Sequence, residues 1–180
     1  DTLGTLLPDY PNRDAAAKVT LEQLLDMTSG IGDFFGPRFD ETPKDRLRSI
    51  RDYLPLFASD PLLFEPGSQN RYSNGGYVVL GAVIEKVTGQ DYYTYVREHV
   101  FDPAGMTASE SFEGDQIAPN VASGYTRGEG ATPGTLRNNI YTRPARGSSA
   151  GGGYSTVGDL ARFVAALRGG KLLKPETLAR

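Results

Sequence analysis

Tyr77, Leu80, Val83, Ile84 and Val87 recur at three- and four-residue spacing and run into Gly89. That is one apolar face of a helix closed by a left-handed glycine cap. A helix of this apolarity must be buried against neighbours, so the chain has to build a core around it. The segment that feeds it, Arg71-Tyr72-Ser73-Asn74-Gly75-Gly76, places a phenol, a hydroxyl and a carboxamide side by side at the helix mouth. Polar groups on such a turn are held firmly yet stay within reach of a ligand.

The other periodic segments are also helical. Thr20-Leu21-Glu22-Gln23 reads as a capping box, with Leu21, Leu24 and Leu25 on one face and Gly30 placed to end the helix. Thr42-Pro43 starts a second helix with proline at its first position, carrying Leu47, Ile50 and Leu54 and limited by Pro55. Tyr92, Tyr95, Val96 and Val100 mark another, stopped by Pro103. The last starts at Ser155 or Thr156, carries Leu160, Phe163, Val164 and Leu167, and ends at Gly169-Gly170. Between about 107 and 153 the chain is rich in Gly, Pro, Ser, Thr and Asn, with short strands expected near Ala122–Thr126. The expectation is an α+β chain, residues 1–180 forming a single, mainly helical domain without the strand–helix alternation of an α/β enzyme.

Composition narrows the chemistry. With no cysteine and one histidine, His99, the chain holds no disulfide, thiolate nucleophile or sulfur-ligated or His-rich metal site, and no metal or organic cofactor is expected. Net charge is −3 with the basic residues scattered, which argues against nucleic acid or an anionic membrane surface as partner. No apolar run is long enough to span a bilayer. The chain opens on Asp1 and shows no signal peptide, as expected of a processed chain or a piece of a larger protein. A periplasmic or secreted location is favoured, with a cytoplasmic one open.

Acyl transfer needs a nucleophile, a base for its proton, and donors that hold the substrate carbonyl. Tyrosine titrates near about 10 and becomes a base only beside a cation. Asparagine can donate to a carbonyl and orient an ammonium. Read from residue chemistry alone, Tyr72-Ser73-Asn74 is equally a plain turn in which Ser73 caps the helix.

Several ordered segments carry a more specific signal. They are Leu6-Leu7-Pro8-Asp9-Tyr10-Pro11, Val19 through Ile31, Phe64-Glu65-Pro66-Gly67 running on to Tyr72-Ser73-Asn74, Phe101-Asp102-Pro103-Ala104-Gly105-Met106, and Ala150 through Thr156 with Asp159-Leu160-Ala161. Together they resemble the serine β-lactamase and penicillin-binding-protein-like superfamily. The branch they look like contains class C β-lactamases, D-alanyl-D-alanine carboxypeptidases and family VIII esterases. The resemblance implies a β-lactamase/transpeptidase-like fold, of which this chain is mostly the helical subdomain with a few short strands. It also implies a serine hydrolase working through an acyl-enzyme on an amide, lactam or ester carbonyl, with a small-molecule or peptidoglycan-like substrate. The family's Tyr-x-Asn element falls on Tyr72 and Asn74, so Tyr72 would assist proton transfer and Asn74 would bind the substrate amide and a catalytic lysine. Ser73 becomes a spacer, and Gly151, Gly152 and Gly153 fall on the loop beside the substrate.

The family's other two elements are missing. No serine has a lysine three residues on, and neither Lys-Thr-Gly nor His-x-Gly occurs. Lys86-Val87-Thr88-Gly89 is off by one residue and lies at a helix end. The expectation is a central piece of the enzyme, without the flanking β-sheet segments, that turns over no substrate alone. The alternatives are a non-catalytic binding module or pseudoenzyme recognising a peptidoglycan-like peptide or a protein, and a bare fragment that self-associates through a former domain interface.

Three further patterns are set aside. Gly147-Ser148-Ser149-Ala150-Gly151 matches the nucleophile elbow of α/β-hydrolases, but no histidine follows residue 99. Gly30-Ile31-Gly32-Asp33-Phe34-Phe35-Gly36 misses the dinucleotide-loop spacing by one and follows a helix, not a strand. His99 lies at the edge of an apolar stripe and reads as structural.

Overall fold

A computed structural model describes residues 1–127 and 134–179. Its helices, in chain order, are α1 (Leu3–Leu6), α2 (Arg13–Lys18), α3 (Leu21–Leu25), α4 (Pro37–Glu41), α5 (Ile50–Tyr53), α6 (Asn74–Thr88), α7 (Tyr92–Val96), α8 (Asp102–Ala104), α9 (Val157–Arg168) and α10 (Pro175–Leu178). One two-residue ladder pairs β1 (Tyr125–Thr126) antiparallel with β2 (Arg137–Asn138). The expected strand over Ala122–Thr126 thus forms only at its last two residues.

The 15-residue α6 is the longest element. Ser73 caps its start and Gly89, at φ 70°, closes it in the left-handed conformation. Its inner face, however, is Gly75, Val78, Val79, Ala82 and Val83, while Val87 is exposed and Tyr77, Leu80 and Ile84 are half-buried. The small residues let α6 sit deep against α1, α3 and α5, where Leu3, Leu24, Ile50 and Tyr53 complete the core.

Several expected helices are shorter than their apolar periods. The Thr20 capping box forms: Thr20 Oγ1 accepts from Gln23 N and Gln23 Oε1 accepts from Thr20 N. The helix then ends at Leu25, and Leu25 is exposed. The left-handed residue behind it is Met27, not Gly30. Gly30 is left-handed as well, at φ 74°, and a Cβ there would overlap the Phe64 carbonyl oxygen, so only glycine fits. That approach lets Gly30 O accept from Leu63 N at 2.8 Å, while Met27 O accepts from Arg71 N at 2.9 Å. The chain from 27 to 33 is thereby laid along the segment that leads into Tyr72.

The helix expected from Thr42-Pro43 breaks in two. Pro43 precedes a single 3₁₀ turn, Lys44–Arg46, and a fresh helix starts after Ser49. Asp52 Oδ2 accepts from Arg48 N, Ser49 N and Ser49 Oγ, so local hydrogen bonds outcompete a continuous helix. Pro103 likewise does not stop the segment after α7. A π turn over Arg97–Phe101 carries into α8, and Gly105, at φ 71°, ends it.

Thr156 caps α9, accepting from Asp159 N. Asp159 is fully buried, accepting from Ala108 N, Ser109 Oγ and Arg162 Nη1 and so tying the turn after α8 to α9. Burial alone would raise its carboxyl, but these donors hold it below the usual carboxylate range. The expected inner stripe of α9 is split: Leu160 and Val164 are 54% and 50% exposed, while Phe163 and Leu167 are half-buried.

The first turn of α6 yields a signed prediction. A Cβ on Gly75 would overlap the Gly32 carbonyl oxygen and press on the Phe57 ring. Helix propensity alone favours Gly75→Ala by about 0.5–1 kcal/mol, whereas overpacking costs about 1–3 kcal/mol. Urea unfolding is expected to show net destabilisation; a gain would mean that the 30–36 loop yields freely.

Candidate active site

The side chains at the mouth of α6 are sorted by Ser73. It is only 3% exposed, its Oγ donates to Gly32 O at 2.9 Å and accepts from Gly76 N at 2.9 Å, and its N–H meets Met27 Sδ. With Ser73 turned inward, its neighbours turn out. Tyr72 is 68% exposed, and its Oη lies 3.1 Å from Asn74 Oδ1. Asn74 is further held by Asp33, whose Oδ2 accepts from Asn74 N at 3.0 Å and Nδ2 at 2.7 Å. Residue chemistry alone had not marked Asp33. It sits within the rejected glycine pattern of residues 30–36, and its only local signal is an Asx turn to Phe35 N.

Facing this turn is the segment from 145 to 154, built into the fold largely through its backbone. Ala145 N and Arg146 N donate to Lys44 O and Leu47 O. Tyr53 Oη donates to Arg146 O, and Tyr93 Oη to Gly147 O, each at 2.6 Å. The Arg146 guanidinium lies 3.5 Å over the Tyr93 ring, with Nε donating to Ser111 O. Ser149 Oγ donates to Tyr77 O at 2.7 Å, fastening the loop to the first turns of α6. Gly147 and Gly152 pass so close that a Cβ on Gly147 would overlap backbone, and Gly151 and Gly152 have φ of 142° and 96°. Glycine is needed there. Arg48 ties the preceding loop down, pairing with Glu113 and, at 2.6 Å, with Asp115.

Between the two halves lies a cavity of about 490 Å³. Asn74, Gly151 and Gly152 are on its wall, and Phe34, Phe35, Phe112 and Tyr154 supply aromatic surface. Tyr72 reaches the site through Asn74, standing outside the lining. Gly153 lies between two lining residues, Gly152 and Tyr154, without lining the cavity itself, beside Glu110 O and Ser111 Oγ. The structure therefore brings Asn74, Gly151 and Gly152 together, with Tyr72 and Gly153 flanking. Such an arrangement offers amide donors and a hydroxyl to a substrate whose apolar part meets aromatic rings.

The set-aside patterns stay outside this geometry. Ser149, the would-be elbow serine, is bonded to Tyr77 O in a tight hairpin where Ser148 and Gly151 exchange backbone hydrogen bonds, and α9 begins only at Val157. His99 stacks on Tyr95, ring centroids 4.3 Å apart. Among the described residues no group of His, Cys, Asp or Glu could hold a metal ion, and no helix is long and apolar enough to cross a membrane.

Comparison with known proteins bears on the family and the fold. The family model described as Beta-lactamase matches residues 1–180. Penicillin-binding protein 4* of Bacillus subtilis (strain 168) is 30% identical over 130 residues, 71% of this chain and 28% of that protein. The penicillin binding protein from Bacillus halodurans superposes with a TM-score of 0.83 at 36% identity, over 89% of this chain and 49% of that one. A D-stereospecific amidohydrolase from Streptomyces sp. gives 0.80 at 26% identity, over 99% and 56%. The chain thus spans about half the length of these solved structures and less than a third of the curated relative. The fold is β-lactamase/transpeptidase-like, and the chain carries mostly its helical subdomain, with few strands.

Tyr93 tests the grip on the glycine loop. Burial pushes its phenol above the ordinary value, with Arg146 only partly offsetting this. A raised folded value means stability that is complete below the unfolded tyrosine value of about 10 and lost as pH climbs past it. Tyr93→Phe is expected to cost about 1 kcal/mol at neutral pH, through the lost bond to Gly147 O. It should also make the alkaline loss of stability shallower in urea titrations run from neutral to alkaline pH. An unchanged alkaline slope would remove Tyr93 as its source.

Proposed function

Because this chain belongs to the β-lactamase family, we propose that it carries the proton-transfer and substrate-positioning half of a serine acyl-transfer site. One observation carries the reading: the 3.1 Å contact between Tyr72 Oη and Asn74 Oδ1, with Asn74 on the wall of the cavity that Gly151 and Gly152 share. The nucleophilic serine and its lysine come, in this reading, from sequence outside these 180 residues. The serine oxygen attacks an amide, lactam or ester carbonyl, forming the acyl bond as the leaving group departs. Tyr72 takes the serine proton and returns it to that leaving group, and water then hydrolyses the acyl-enzyme.

Asn74 contributes an amide hydrogen to the substrate, since only one of its two is engaged by Asp33. The Gly151-Gly152 backbone, bare of side chains, lets the substrate approach closely. Phe34, Phe35, Phe112 and Tyr154 favour an apolar group next to the reacting carbonyl. A small-molecule or peptidoglycan-like amide or ester meets these requirements.

The test uses the protein containing the nucleophile and a chromogenic aromatic ester. Tyr72→Phe is expected to slow acylation by roughly 10²- to 10⁴-fold, and Asn74→Ala by roughly 10²- to 10³-fold. Acylation at the unmodified rate in Tyr72→Phe would remove the proton-transfer role. A parent sequence with no Ser-x-x-Lys would leave a binding module in place of an enzyme.

A further inference from the structure

We propose that Asp33 is a positioning residue that sets the orientation of the Asn74 carboxamide and, through it, the hydroxyl of Tyr72. The inference rests on the acyl-transfer reading for its catalytic consequence but not for its geometry. A carboxamide has two nearly isosteric flips, and its hydrogen-bond partners decide between them. Asp33 Oδ2 lies 2.7 Å from Asn74 Nδ2. An ionised carboxylate only accepts, so the opposite flip would set two oxygens against each other with no hydrogen between them.

The carboxylate is itself fixed. Its other oxygen, Oδ1, accepts from Phe35 N at 3.0 Å, and Oδ2 also accepts from Asn74 N at 3.0 Å. Gly32, the preceding residue, is bonded through its carbonyl to the buried Ser73 hydroxyl. Asp33 therefore reaches Asn74 from a backbone already locked to the start of α6, and it does so with a charge-assisted bond.

Two consequences follow along the line Asp33–Asn74–Tyr72. With Nδ2 held toward Asp33, its second hydrogen is left for a substrate carbonyl. With Oδ1 held toward Tyr72, the phenol donates to Oδ1 at 3.1 Å, which fixes where Oη stands. The amide donor of Asn74 and the placement of the Tyr72 hydroxyl are thus both set by one carboxylate, which touches Asn74 and reaches Tyr72 only through it.

The side-chain amide resonances of Asn74 in the ¹⁵N-labelled chain, assigned with Asn74→Ala, read the geometry directly. They are expected to be widely split in the unmodified chain and to collapse toward free-amide positions in Asp33→Ala. Asp33→Asn, which can still turn an acceptor oxygen to Nδ2, is expected to restore much of the splitting. Resonances unmoved in Asp33→Ala would overturn the proposal.

In the protein with its nucleophile, Asp33→Ala is expected to lower the acylation rate about 10- to 100-fold with KM nearly unchanged. The double variant Asp33→Ala/Asn74→Ala should be no slower than Asn74→Ala alone. Additive losses would overturn the proposal, since Asp33 would then act as a helix cap and not through Asn74. If Asn74→Ala itself left acylation unchanged, the acyl-transfer reading would fall, while the amide resonances would still decide whether Asp33 sets the carboxamide.

Discussion

The buried hydroxyl of Ser73 fixes which way the mouth of α6 faces. By donating to Gly32 O and accepting from Gly76 N, it closes the first turn of the helix and joins it to the 27–33 segment. Residues on either side of an inward-turned residue in extended backbone point outward, so Tyr72 and Asn74 are presented together. The glycines at 75 and 76 complete the arrangement, because a larger residue at 75 would force Gly32 away. A spacer in the motif is thus a structural keystone of the site.

The opposite half is held by a different device. Tyr53 and Tyr93 lie with their rings in the core and their hydroxyls on the carbonyls of Arg146 and Gly147. Arg146 in turn grips Ser111 O and stacks on Tyr93. Tyr53 and Gly147 themselves reach the cavity wall, beside Gly151 and Gly152. Ser149 Oγ on Tyr77 O then locks this half to the first. The cavity exists because two independently anchored segments are clamped across α6.

Much of this was legible in the residues. The α6 stripe with its Gly89 cap, the Thr20 capping box and the Thr156 start of α9 all follow from local chemistry, and the structure forms each of them. Direction was harder to read than existence. Large apolar residues pointed to Tyr77, Leu80 and Val87 as the inner face of α6, whereas the helix packs most deeply through small ones, Gly75 and Ala82 among them. The α9 stripe misled in the same way: Asp159 and Ala166 point inward and Leu160 and Val164 outward. Asp33, Tyr53 and Tyr93 could not be assigned roles from sequence, because each acts on a backbone or amide group at least 41 residues away. Only the fold makes such pairs neighbours.

The hold of Tyr53, Tyr93 and Arg146 on carbonyl oxygens has a consequence for how such a site diversifies. Every amino acid brings the same carbonyl, so, Arg146 and the closely packed Gly147 and Gly152 apart, the grip does not depend on which side chains the loop displays. Cavity-facing positions such as Phe112 and Ile140 can therefore drift under selection for new substrates while the chassis beneath them keeps its shape. Anchoring through the main chain uncouples the inheritance of the scaffold from the inheritance of its specificity.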